Sequence, residues 1–104
     1  MRNIKLVSDK QLAACLNDLS SKQQCAVLSF IFKAPHCFTH EIQTNGGGNN
    51  IPQIARKMRP TCKNHNIFII NYLPHDIYRG MNRYGEPTSE HRWFVVSIEA
   101  NHAD

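Results

Sequence analysis

The chain has 104 residues, 41% of them hydrophobic and 19% charged, with a formal net charge of +4. That balance suits one folded domain with a small core and excludes wholesale disorder. It permits an anionic partner without requiring one. No apolar run approaches the roughly 20 residues of a membrane span. The opening residues MRNIKLVSDK hold too short an apolar stretch for a signal peptide, so a cytoplasmic chain is expected. In that compartment the four cysteines, Cys15, Cys25, Cys37 and Cys62, are expected as free thiols packed like small hydrophobes.

Taken in order, Ser8 with Gln11 fits a capping box and predicts the first helix. Leu12, Cys15, Leu16 and Leu19 form a narrow apolar stripe on it. That stripe suits a lid on the chain's own core or half of a homodimer contact through Leu12 and Leu16. Ser20 with Gln23 forms a second capping box, opening a helix over residues 21–33. Cys25, Leu28, Ile31 and Phe32 line one face, widened by Val27 and Phe30, which predicts a central helix. It should end at Ala34-Pro35, because a residue before proline is pushed out of helical geometry.

Thr39 is expected as the N-cap of a short third helix, with Glu41 in its first turn and Ile42 facing inward. Asn45-Gly46 should stop it. Gly46, Gly47 and Gly48 read as a flexible connector, and no Gly-Lys-Ser/Thr follows to make a P-loop. A fourth helix opens with Pro52 in its first turn. Ile51, Ile54, Ala55 and Met58 fall on one buried stripe, leaving Gln53, Arg56 and Lys57 opposite, with Arg59 and Lys63 on the flank. Pro60 should close that helix, with a polar loop over residues 61–66.

Residues 67–73 (IFIINYL) and 93–98 (WFVVSI) read as two paired antiparallel strands. The loop between them carries Tyr78, Arg79, Arg83, Tyr84 and Arg92, basic residues interleaved with aromatics but diluted by Asp76, Glu86 and Glu90. Residues 99–104 should be a frayed tail. The expected architecture is a single α+β domain over residues 1–104, with its core about 8–98. A helix-turn-helix followed by a hairpin with a long tip is a winged helix-turn-helix.

With these elements in place, the chain resembles the small winged helix-turn-helix domains of bacteriophage and prophage DNA-binding proteins. The likeness runs through LSSKQQCAVLSFIF, FTHEI, IPQIARKMR, IFIINYL, YRGMNRYGE and HRWFVV, covering about residues 19–96. Two departures stand out: the turn TNGGGNN is long, and Pro60 comes early. The resemblance implies double-stranded DNA as partner and a role in transcription regulation. In such a domain Arg56 suits a guanine edge, Gln53 an adenine, and Lys57 a phosphate. Asn49, Asn50 and the backbone N–H groups at the start of the fourth helix could meet another phosphate. Arg59, Lys63, Arg79 and Arg83 complete the expected contacts. The bland alternative for Arg56 and Lys57 is an ordinary solvated cationic face, and for the loop residues Arg79 and Arg83 a mobile loop with solubilising charge.

Two Cys-x-x-His pairs, Cys37 with His40 and Cys62 with His65, match the ligand count of tetrahedral zinc. With four Cys and six His in the chain, such pairs arise easily by chance, and zinc is not expected. No cofactor motif or catalytic constellation is present, so an enzyme is not expected. The competing functional reading is a protein-interaction module on the same fold, for instance a phage-encoded inhibitor of a host protein. Salt separates the two, since phosphate-driven binding weakens steeply with salt and apolar docking does not.

Overall fold

The computed structural model describes residues 2–72 and 91–100. Among them the order is β1 (Arg2–Lys5), α1 (Asp9–Asp18), α2 (Lys22–Lys33), β2 (Cys37–Phe38), α3 (Thr39–Ile42), α4 (Ile51–Asn64), β3 (Ile67–Tyr72) and β4 (Arg92–Ala100). The chain is α+β: helices on one face of a small antiparallel sheet. All three other strands pair with β4. Ser97 stands opposite both Lys5 and Ile67, and Trp93 opposite both Cys37 and Asn71. So β3 runs along one edge of β4, while β1 and β2 share the other.

Strand alternation divides this sheet into two faces. Cys37, Ile67, Ile69, Trp93 and Ser97 are buried against the helices. Their neighbours Phe38, Phe68, Ile70, Tyr72, Phe94 and Val96 alternate with them and are only half-buried. The β3–β4 pairing has the expected antiparallel sense, with Ile67 opposite Ser97 and Tyr72 opposite Arg92. Two differences lie at the ends. Glu99 and Ala100, expected in a frayed tail, continue β4 and pair with Asn3 and Arg2. Strand β1 itself carries no local signal strong enough to predict. Its four residues are extended because β4 offers them backbone partners.

Helix α1 is a lid on the core. The Ser8 hydroxyl accepts from the Gln11 N–H at 3.1 Å, and the Gln11 carboxamide oxygen accepts from the Ser8 N–H at 3.3 Å. The same carboxamide donates to the His65 carbonyl (2.7 Å) and to the Ser97 hydroxyl (2.9 Å), tying α1 to α4 and β4. Leu12 and Cys15 are buried and Leu16 and Leu19 pack against the core, so the apolar stripe faces inward within the chain. At the far end His65 Nε2 lies 2.6 Å from Asp18 Oδ2.

Helix α2 starts one residue later than expected, because Ser21 rather than Ser20 is its N-cap and accepts from the Gln24 N–H at 3.1 Å. Val27, Leu28 and Ile31 are fully buried at its centre. It ends at Ala34, whose backbone leaves helical geometry before Pro35.

Two expectations around α3 and α4 are corrected. Thr39 does not cap α3: the N-cap is Phe38, and the Glu41 carboxylate accepts from its N–H at 2.7 Å. The Thr39 hydroxyl instead accepts from Trp93 Nε1 (2.8 Å) and donates to the His91 carbonyl (3.3 Å), joining α3 to β4. Pro60 does not close α4, which runs on to Asn64. Proline removes the bond to the carbonyl four residues back, but Arg56 and Pro60 are both exposed, so water can satisfy that carbonyl. Cys62, meanwhile, extends the buried stripe of Ile51, Ala55 and Met58 by another turn.

The glycine turn is packed and not a loose connector. Gly47, the last residue of the wide turn Gln43–Gly47, is buried. A β-carbon there would lie 2.7 Å from the Ile42 carbonyl oxygen and 2.8 Å from both Ile42 Cγ2 and Ile51 Cδ1. Gly46 has φ +97°, in the left-handed region that favours glycine. This turn sets the direction in which α4 departs.

Candidate nucleic-acid interface

The geometry of α4 follows from its apolar period. Ile51, Ala55, Met58 and Cys62 are each fully buried, and Ile54 is partly buried beside them. On a 3.6-residue helix that anchoring turns Gln53, Arg56 and Lys57 outward, and all three are exposed. Lys63 is exposed in the last turn, where a cation complements the helix dipole.

Three of the expected contact residues also have intramolecular partners. Asn50 is the N-cap of α4: its Oδ1 accepts from the Gln53 N–H at 3.4 Å, and its Nδ2 donates to Gln53 Oε1 at 2.7 Å. The Gln53 carboxamide is thus already oriented by Asn50. Arg59 Nη2 donates to the Ile69 carbonyl at 3.3 Å, bracing α4 against β3. Arg56 and Lys57 are therefore the centre of the outward cationic face. Arg79 and Arg83, with Tyr78 and Tyr84, lie outside the described residues. Arg92, expected in the loop, is the first residue of β4. Its guanidinium carbon sits 4.2 Å above the Phe38 ring, and its Nη1 donates to the His36 carbonyl at 3.0 Å.

All four cysteines are free thiols, three of them buried. The two Cys-x-x-His pairs face different neighbours. Cys62 Sγ lies 3.8 Å from Cys15 Sγ, His65 meets Asp18, and Cys37 Sγ approaches the Trp93 carbonyl at 4.0 Å. Among the described residues no group of three or more His, Cys, Asp or Glu is placed to hold a metal ion. No described helix is long and apolar enough to cross a membrane.

The buried thiols carry a pH prediction. Burial pushes Cys62 up to about 12, with Cys15 beside it adding to the effect. Burial, then Glu41, pushes Cys37 up to about 11, and burial raises Cys15 as well. A raised folded-state value means the fold favours the protonated thiol. The stabilisation is therefore complete below the ordinary thiol value near 9 and is lost as pH rises from there towards 11–12. Each thiol contributes a slope of up to about 1.4 kcal/mol per pH unit in that window. Urea unfolding of the parent and of Cys62→Ala between about pH 8 and pH 10.5 checks this. The variant should lose less stability per pH unit, and equal slopes would show that burial does not hold the proton.

One cluster escaped sequence reasoning. His36, Phe38, His40, Tyr72 and Phe94 bring their rings together with Arg92 at the β2 end of the sheet. The available signal was the unbroken apolar run of the strands, which lack the apolar/polar alternation of a sheet with one wet face. No protein-family model, curated protein or solved structure matches this chain.

Proposed function

We propose that this chain is a winged helix-turn-helix domain that binds double-stranded DNA through α4, as a transcription regulator of the phage or prophage type. The succession α2, β2, α3, α4, β3, β4 supports the winged-helix reading, with β2 pairing onto the returning strand β4. The regulatory and phage-type part rests on the resemblance of the motifs. The observation that carries the proposal is the outward pair Arg56 and Lys57, held in place by the buried stripe of Ile51, Ala55, Met58 and Cys62. A rigid cationic helix face can enter a major groove with little ordering cost. The Leu12/Leu16/Leu19 stripe, which would have favoured a protein-interaction module, packs on the chain's own core.

Arg56 has a planar fork of donors suited to guanine O6 and N7, whereas Lys57 is a point charge suited to phosphate. Arg56→Ala is expected to cost about 1–3 kcal/mol at one preferred sequence and to relax discrimination there. Lys57→Ala should weaken all sequences alike and make the salt slope shallower by about one unit. Both side chains are exposed, so stability should change by less than about 0.5 kcal/mol. Mobility-shift titrations against specific and scrambled duplexes at several salt concentrations decide the matter. If both variants bind as tightly as the parent, α4 is not the reading head.

A further inference from the structure

The sheet face turned away from the helices is chemically unusual. Phe68, Ile70, Tyr72, Phe94 and Val96 stand there, none of them part of the buried core cluster. Antiparallel sheets with a solvated face normally place polar residues on it.

At the β2 end this face becomes aromatic and cationic. The His36 ring lies 5.0 Å from that of Phe94, tilted by 34°, and 5.8 Å edge-on from Tyr72. Phe38 and His40 are stacked at 5.8 Å, and the Arg92 guanidinium carbon lies 4.2 Å from the centre of the Phe38 ring. The Glu41 carboxylate accepts from the Phe38 N–H beside this cluster.

His36 is the centre of the cluster. Its φ is +66°, a conformation that disfavours a side chain, and it is exposed. Four contacts hold it there. Its N–H donates to the Trp93 carbonyl (2.8 Å), its carbonyl accepts from Arg92 (3.0 Å), its Nδ1 lies 2.8 Å from the Tyr72 hydroxyl, and its ring rests near Phe94. Backbone held in a sparsely populated region by so many contacts points to function, because strain persists only where the surroundings over-determine it.

We propose that this end of the sheet is a binding platform for single-stranded nucleic acid, with unpaired bases stacking on the rings of His36 and Phe94 and the backbone phosphates drawn to Arg92. Aromatic faces beside the Arg92 guanidinium suit an anionic chain that carries a π-face at every unit. A duplex does not qualify, because its base faces are covered by their own neighbours. The chain's net charge of +4 favours the same polyanion. Pre-ordered rings lose little freedom on binding. The platform is independent of the α4 reading.

The test uses the full chain and a fluorescein-labelled oligothymidylate of about 12 nucleotides, followed by anisotropy at low and moderate salt. The parent should bind, and more weakly at moderate salt. His36→Gly removes the ring while accepting φ +66° without strain, so its Tm should equal or exceed the parent's. Its affinity should fall about tenfold, as should that of Phe94→Leu. Arg56→Ala should bind the oligothymidylate like the parent, which separates this platform from the duplex reading. No binding by the parent, or parental affinity in both ring variants, overturns the proposal. So does a dimer in light scattering whose mass falls to the 11.9 kDa monomer in Phe94→Leu, since the face would then be covered by a second copy.

Discussion

Trp93→Ala is expected to cost about 3–5 kcal/mol of folding stability. That is a large share of the roughly 5–15 kcal/mol available to a domain of this size. Trp93 is 1% exposed and is the largest of the fully buried side chains. It sits on β4, the strand to which all the others pair, and its indole N–H is satisfied by the Thr39 hydroxyl. Removing the ring opens a cavity between sheet and helices and breaks the tie to α3. Trp93→Phe separates the two contributions, because it keeps most of the apolar volume and loses only the donor. It should cost less, about 1–2 kcal/mol, since Thr39 retains its bond to His91. Urea unfolding followed by far-UV circular dichroism measures both. An alanine variant within about 1 kcal/mol of the parent would mean that the ring is not central to the core.

Gly47→Ala should be the most damaging single-methyl change in the turn between α3 and α4. Two of its three close contacts are to Ile42 and the third is to Ile51, the first residue of α4. One of the Ile42 contacts is a backbone carbonyl oxygen, which cannot swing aside like the end of a flexible side chain. Overpacking of this kind costs about 1–3 kcal/mol. Relaxation that moves Ile51 shifts the start of α4 relative to α3, so if α4 is the proposed reading head, duplex affinity should fall beyond the loss of stability. Gly46→Ala is the informative comparison. The nearest atom to a β-carbon there is Ala26 Cβ at 3.4 Å, so the space suffices and the cost comes from φ +97° alone, about 1–2 kcal/mol. Thermal melts and duplex titrations on folded protein check both variants. If Gly47→Ala melts and binds like the parent, the turn is the loose connector that its composition suggested.

These two sites also show where local reasoning stops. The tri-glycine run looked flexible because glycine permits many conformations. Which of those the chain adopts was decided by Ile42 and Ile51 closing around Gly47. Thr39 had the composition of an N-cap, yet its hydroxyl went to an indole more than fifty residues away in sequence. Pro60 looked like a terminator because the rule for an interior proline is local. The helix continued because Cys62 could be buried beside Cys15 on another helix.

What the sequence determined by itself were the features governed by neighbours within one or two helical turns. The Ser8/Gln11 capping box, the termination of α2 before Pro35, the inward stripe of α4 and the strand character of residues 67–72 all appear as expected. Periodicity and caps act over three or four residues, so they can be read without a fold. The tertiary structure alone decided the rest. Strand β1 and the end of β4 exist through each other's hydrogen bonds. The cluster of His36, Phe38, Tyr72, Phe94 and Arg92 draws its members from β3, β4 and the chain around β2, all set in register by the sheet. Backbone pairing between distant segments places those side chains together, and a short-range pattern holds no record of it.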